Sequence, residues 1–183
     1  LLVLAYPIAR GANLVPVDGL VSLAERASPE RGRSLEFRLN NEEILLEHAR
    51  RKPVFGWGIW GRHQVRDPQT GEVLSTTDGR WIIVLGVLGW VGFLGEFGLL
   101  GLPLLTIWWR GGPAPPRLVA SLSVILAVNL VDLLPNATLT PLTWLWAGAL
   151  LGWTERRQVT LARTVRLPVL IGGAGPVPVR TVL

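Results

Sequence analysis

The chain of 183 residues is 49% hydrophobic and 17% charged, with a mean hydropathy of +0.40. A soluble domain has about a quarter of its residues charged, so this composition points to a polytopic membrane protein and away from a soluble globular enzyme or a disordered segment. Cysteine is absent, which excludes a disulfide framework and a thiolate metal site.

A pI of about 11.2 would ordinarily suggest nucleic acid. The segment 10–80, however, is close to neutral, and the basic excess lies later, in Arg110, Arg117, Arg156, Arg157, Arg163, Arg166 and Arg180. No basic-aromatic module or helix-turn-helix pattern accompanies them. These arginines read as topology signals that put their segments on the cytoplasmic side, and no nucleic-acid partner is expected.

In chain order, residues 1–9 are apolar and read as the end of a transmembrane helix already under way, so the chain is expected to be the C-terminal part of a longer protein. Residues 10–80 form a hydrophilic loop far longer than an ordinary connection, a kind that usually carries function. Asp18 can cap a helix running to about Arg26, with Leu20, Leu23 and Ala24 on one side. Asn40 and Glu43 have capping-box spacing and open a second helix to about Lys52, ended by Pro53. Ile44, Leu45 and Leu46 give that helix an apolar stripe. The stretch from Gly56 to Gly61 then combines backbone freedom with two indoles, Trp57 and Trp60, which suits a loop at headgroup level. Asp67 and Glu72 flank a turn at 68–71.

Trp81 to Trp109 carries one charge, Glu96, over a run long enough to cross a bilayer, with tryptophans at both ends. Residues 110–117 form a stiff turn, Leu118 to Leu134 crosses back, and 135–141 is a short outer loop. Leu142 to Trp153 then returns, and Glu155, Arg156 and Arg157 stop it. Residues 81–158 are thus a transmembrane helical region, followed by a cytoplasmic tail, 159–183, expected to be disordered. The fold expected is all-α: a polytopic helical membrane protein with three clear transmembrane helices, the end of a fourth, and a large, partly helical external loop.

Glu96 and Asp132 fall inside apolar spans and should face the bundle or a polar cavity, because a charge facing lipid costs several kcal/mol. If they line a path, the chain is a transporter or channel subunit; a non-catalytic membrane scaffold is a further alternative. Gly86, Gly89, Gly92, Gly95, Gly98 and Gly101 recur at every third position, a smooth strip for close helix approach. No metal cluster, P-loop, dinucleotide fingerprint or Ser-His-Asp spacing is present, so neither a metal nor a cofactor is expected.

Arg38, Pro53 fifteen positions on, Gly56-x-Gly58, and then a motif from Gly79 through Trp81, Ile82, Leu85, Gly89 and Gly92 into a span together resemble the C-terminal half of the O-antigen ligase and polymerase family, over about residues 1–155. The resemblance implies an integral membrane glycosyltransferase of the GT-C type in the bacterial inner membrane, a multi-pass protein with loop 10–80 on the periplasmic side. Its donor would be an undecaprenyl diphosphate-linked glycan, and its acceptor a hydroxyl on a lipid A core or another glycan. A basic loop residue and a His that opens the following span are features of the family.

Arg38 matches the loop arginine. A guanidinium offers a pH-independent, bidentate contact that stabilises a diphosphate leaving group as charge develops on it. Asp78 stands where the family's His would sit. A carboxylate is ordinarily a weaker base than an imidazole, yet it can still take the acceptor proton if it lies within hydrogen-bond reach. His63 is the alternative source of a base. Arg62, Arg66 and Arg80 are candidates for the diphosphate or for anionic lipid headgroups. Plainer readings stand beside these: Asp78 as a helix cap or turn residue, Arg38 as a solvated helix-flank charge or paired with Glu42 one turn on, and His48 as an exposed residue of a charged helix.

Overall fold

The computed structural model describes residues 2–76, 78–109 and 114–166, with 157–166 as backbone only. Among these residues the chain is all-helical, with six helices and no strand: α1 (Leu2–Gly11), α2 (Val17–Ala27), α3 (Pro29–Arg50), α4 (Arg80–Trp109), α5 (Arg117–Asp132) and α6 (Pro141–Arg166). A single bridge pairs Arg66 with Val73, and the turn between them is closed by the Asp67 carboxylate, which accepts from the Gln69 and Thr70 N–H groups.

The segment 10–80 is more helical than its local signals suggest. Pro16 precedes α2, and Asp18 lies inside the first turn, where it complements the helix dipole instead of capping. The second expected helix starts at Pro29, not at Asn40. Ser28 is extended (φ −166°, ψ 130°) and Pro29 occupies the start of the helix, where a missing N–H leaves no bond unmade. Asn40 and Glu43 therefore fall mid-helix, where there are no orphan N–H groups to cap. Gly32 lets α2 lie close against α3, since a Cβ there would collide with Glu25.

The main departure from expectation lies in α4. The long apolar helix is present, but Gly89 is non-helical, at φ 66° and ψ −166°, a conformation that an L side chain rarely tolerates. Hydrogen bonds missing from the helical ladder are replaced from residues 53–58. Trp90 N–H donates to Pro53 O (2.8 Å) and Val91 N–H to Val54 O (3.2 Å), while Trp57 and Gly58 N–H donate to Gly86 O and Val87 O, both at 2.8 Å. Gly56 (φ 66°) has its Cβ position only 2.6 Å from the Val87 carbonyl, and a Cβ on Gly89 would run into Val54 O.

This break bends the rod. A straight helix would set Arg80 and Glu96 about 24 Å apart, beyond the combined reach of their side chains. Instead, Arg80 Nε and Nη2 donate to the two Glu96 carboxylate oxygens at 2.7 and 2.8 Å. After the break, residues 90–109 form a rod of about 30 Å, the thickness of a bilayer core, with Trp90 at one end and Trp108 and Trp109 at the other.

Among the described residues α4 is the one helix both long and apolar enough to cross a membrane. The 16 residues of α5 reach about 24 Å. α6 continues past the stop expected at Glu155 and Arg156 as far as Arg166, so the start of the tail expected to be disordered is helical. Residues 110–113 of the turn expected between the first two spans and 167–183 of the expected tail lie outside the described residues.

The core joins Phe93, Phe97 and Leu100 of α4 to Leu126 and Leu130 of α5 and to Ala147 and Leu150 of α6; Trp81 and Leu85 extend it to Leu45 and Leu46 of α3. Within it, Thr143 Oγ1 donates to Asn129 Oδ1 at 2.7 Å and ties α5 to α6. The start of α4 rests on the end of α5, with Arg80 N–H donating to Leu133 O and Asn136 O, each at 3.0 Å.

Gly89→Ala is expected to destabilise the protein by at least the ~1–2 kcal/mol of a left-handed L residue, with the Val54 collision added. Gly95→Ala, where a Cβ meets nothing within 4 Å, serves as the control. Thermal unfolding of the detergent-solubilised chain checks this: equal melting temperatures for the two variants would contradict the break.

Candidate functional site

A pocket of about 200 Å³ opens where α1, α3, the chain entering α4 and the C-terminal end of α5 meet; Tyr6, Arg38, Glu42, Asp78, Gly79 and Leu134 are among its lining residues. It lies below the usual size of a drug-sized ligand site, ~300 Å³ and up, and suits a single ring or a small anionic group.

Local geometry fixes the approach to Asp78. Thr76 N–H donates to Asn41 Oδ1 at 2.9 Å, docking this segment on α3, and Asn41 is itself held by its amide bond to Phe37 O at 2.8 Å. Gly79 lies against Leu134 O so closely that no Cβ would fit. Asp78 is thereby held half-buried between α3 and the end of α5. Its carboxylate takes part in no hydrogen bond or ion pair among the described residues, so the capping reading gains nothing from the structure.

Arg38 projects from α3 on the exposed side of the same pocket. Of the two plainer readings of Arg38, the pair with Glu42 does not form, and the solvated helix-flank charge agrees with its exposure. Among the described residues Arg38 has no ion pair, whereas Glu42 turns to α1: Tyr6 Oη donates to Glu42 Oε2 at 2.7 Å and Arg10 Nε lies 3.5 Å from the same oxygen. Arg10 is buried; its Nη1 donates to Glu43 Oε2 and its Nη2 to Leu39 O, both at 3.0 Å. Arg50 joins from the end of α3, donating to Glu43, to Gly11 O and to Asn13 Oδ1.

Burial raises the Glu42 carboxyl above the usual carboxylate range, a rise held in check by the hydrogen bond from Tyr6 and by the charge of Arg10. The Trp81 indole N–H is also near, but it is buried without completing a hydrogen bond. A carboxylate of heightened proton affinity in a cleft is a mark of a functional position. Glu42 was visible in the sequence only as a helix-surface charge, and Tyr6 and Arg10 sat in what reads as a span end. Their spacing of one helical turn was the one available signal.

The other sequence candidates lie elsewhere. His63 packs its Cβ against Gly86 beside the break in α4, with Nδ1 buried and unpartnered, and it does not line the pocket. Arg62 Nε donates to Ile59 O at 3.1 Å, and Arg66 to Gly71 O and Gln64 Oε1; both serve their own turns. Arg80 is engaged by Glu96. None of these three arginines lines the pocket with Arg38 and Asp78. His48 stacks on Trp57 with ring centroids 4.3 Å apart, and Trp57 Nε1 donates back to His48 O at 2.9 Å.

The charges that would line an ion path are also engaged, Glu96 by Arg80 and Asp132 by the Asn136 amide at 2.7 Å. Among the described residues no group of three or more His, Cys, Asp or Glu is placed to hold a metal ion. No protein-family model, curated protein or solved structure matches the chain.

Burial depresses the proton affinity of His63, and the charge of His48 acts in the same direction. The unfolded chain therefore binds this proton more readily than the folded one. The stability held by neutral His63 is present above about pH 6.5, the ordinary imidazole value, and is lost as the pH falls through the lowered folded value. Between pH 7.5 and 5.5 the melting temperature of the native chain is expected to fall more than that of His63→Leu. Parallel curves for the two would contradict the packing of His63 as a neutral residue.

Proposed function

We propose that the chain is part of a polytopic integral membrane glycosyltransferase of the O-antigen ligase and polymerase type, which moves a glycan from an undecaprenyl diphosphate carrier to an acceptor hydroxyl at the outer face of the bacterial inner membrane. The observation that carries this reading is the convergence of Arg38 and Asp78, far apart in sequence, on one pocket where the external segment meets α4. The donor class comes from the resemblance. The pocket supports it by offering a cation and a carboxylate that are both free of partners among the described residues.

In the reaction, the acceptor oxygen attacks the anomeric carbon, the bond from that carbon to the carrier phosphate breaks, and the electron pair leaves with the diphosphate. Arg38 stabilises the charge that develops there. The acceptor proton passes to Asp78, and His63, away from the pocket, has no part in the step. Apolar side chains along the bundle support a lipid environment: Leu94, Leu99 and Leu102 of α4, Val124 and Val128 of α5, and Leu145 of α6 are all exposed. In this reading α5 and α6 cross beside α4, and Trp90 and Trp108 mark its two interfaces.

The test is glycan transfer by the whole protein in reconstituted membranes. Arg38→Ala and Asp78→Asn are each expected to lower turnover by about a hundredfold or more at normal expression, the usual cost of losing a charge-stabilising donor or a general base. Arg62→Ala and Arg66→Ala are expected to stay within a few-fold. Unchanged transfer in Asp78→Asn would remove Asp78 from the site, and equal losses in all four variants would point to a general electrostatic effect instead.

A further inference from the structure

Glu42 is anchored more firmly than a helix tether requires. Tyr6 Oη and Arg10 Nε both sit on Oε2, and the nearby Trp81 indole N–H completes no hydrogen bond to the carboxylate. Oε1 accepts no hydrogen bond among the described residues and is not one of the buried unpartnered atoms, while Glu42 itself lines the pocket that holds Asp78. One oxygen thus orients the carboxylate and the other remains available. A fixed carboxylate oxygen inside a small pocket is an acceptor for a hydroxyl group, and its negative charge disfavours an acidic ligand.

We infer that Glu42 is the residue that holds the acceptor sugar: its Oε1 accepts a hydrogen bond from one hydroxyl of a neutral ring, while the hydroxyl that attacks lies toward Asp78. This rests on the glycosyltransferase reading and narrows its acceptor to a sugar that presents two hydroxyls to the pocket, with acidic sugars disfavoured. Glu42 positions and selects; the proton of the attacking hydroxyl goes to Asp78. Tyr6 and Arg10 act through Glu42, by fixing the direction of its carboxylate.

The experiment uses the chain in nanodiscs, without donor, titrated with the methyl glycosides of glucose, galactose and mannose and with their monodeoxy forms. The native chain is expected to bind at least one glycoside saturably. Glu42→Gln is expected to weaken that binding roughly tenfold or more, because its amide oxygen must face the donors Tyr6 and Arg10 and its NH2, a donor, replaces the charged acceptor Oε1. One monodeoxy form should show a comparable loss on the native chain and little further loss on Glu42→Gln, a non-additivity that a merely structural role for Glu42 does not produce. Arg50→Ala removes another link between α1 and α3 outside the pocket and should leave glycoside binding unchanged.

The inference is overturned if the native chain binds none of the three glycosides, if Glu42→Gln binds like the native chain, if the losses from variant and deoxy sugar simply add, or if Arg50→Ala weakens binding as much as Glu42→Gln. Glycan transfer measured separately keeps the two claims apart. Binding that follows the expected pattern with no transfer from an undecaprenyl diphosphate donor leaves Glu42 as a ligand of a neutral sugar and removes the transferase reading, with the acceptor role.

Discussion

Backbone hydrogen bonds run in both directions between residues 53–58 and the stretch of α4 around Gly89, and the rest of the architecture follows from them. An apolar helix that loses part of its ladder exposes N–H and C=O groups that cost several kcal/mol each where water is absent. Here the turn after α3 supplies the missing partners. The exchange needs two glycines, Gly89 for its positive φ and Gly56 both for its positive φ and for the close approach to the Val87 carbonyl. With the seam closed, α4 bends, its first turns fold back toward Glu96, and Arg80 closes the bend with a two-pronged ion pair. That pair is largely shielded from solvent on the Glu96 side, at 12% exposure, so losing either member would leave a charge in poor surroundings.

The same bend produces the pocket. Gly79 is carried onto Leu134 O and Arg80 N–H onto the carbonyls that end α5, which sets Asp78 across from α3. α3 is tied to α1 through Tyr6, Arg10 and the two adjacent glutamates. Polar contacts of this kind fix orientation more than they add stability, because the desolvation of buried ions offsets much of their attraction. Their consequence is that Glu42 is occupied and Arg38, one turn away, is left free. The proposed chemistry uses that division: a free cation for a leaving group, a free carboxylate for a proton, and an anchored carboxylate for orientation.

Part of this was legible in the sequence. Periodicity and apolar length located α4, α5 and the start of α6, since those signals come from composition over many residues. Arg38 and Asp78 were identifiable by position, and the structure brings them to one pocket. Other features were illegible for physical reasons. The start of α3 was missed because Asn40 and Glu43 imitate a cap, while the operative signal was Ser28 before Pro29. The break at Gly89 was hidden in a regular run of glycines, of which only this one meets carbonyls from a distant turn. Arg80 was read as a ligand for the diphosphate or for anionic headgroups because its partner, Glu96, lies sixteen residues away, a separation that no helical spacing rule connects. Glu42 was visible only as a candidate i, i+4 partner of Arg38, a rule that carries no information about the competing tyrosine and arginine on α1.

The bend in α4 is the central claim, and the absence of native cysteine makes it directly measurable. Arg80→Cys and Glu96→Cys, introduced together and treated in nanodiscs with a bismaleimide too short to bridge the ~24 Å of a straight helix, should give an intramolecular crosslink detectable by mass spectrometry. The same pair in a Gly89→Ala background should crosslink less. No crosslink in the parent, with both thiols accessible to a single maleimide, would mean that α4 is straight and that neither the ion pair nor the pocket beside it exists as described.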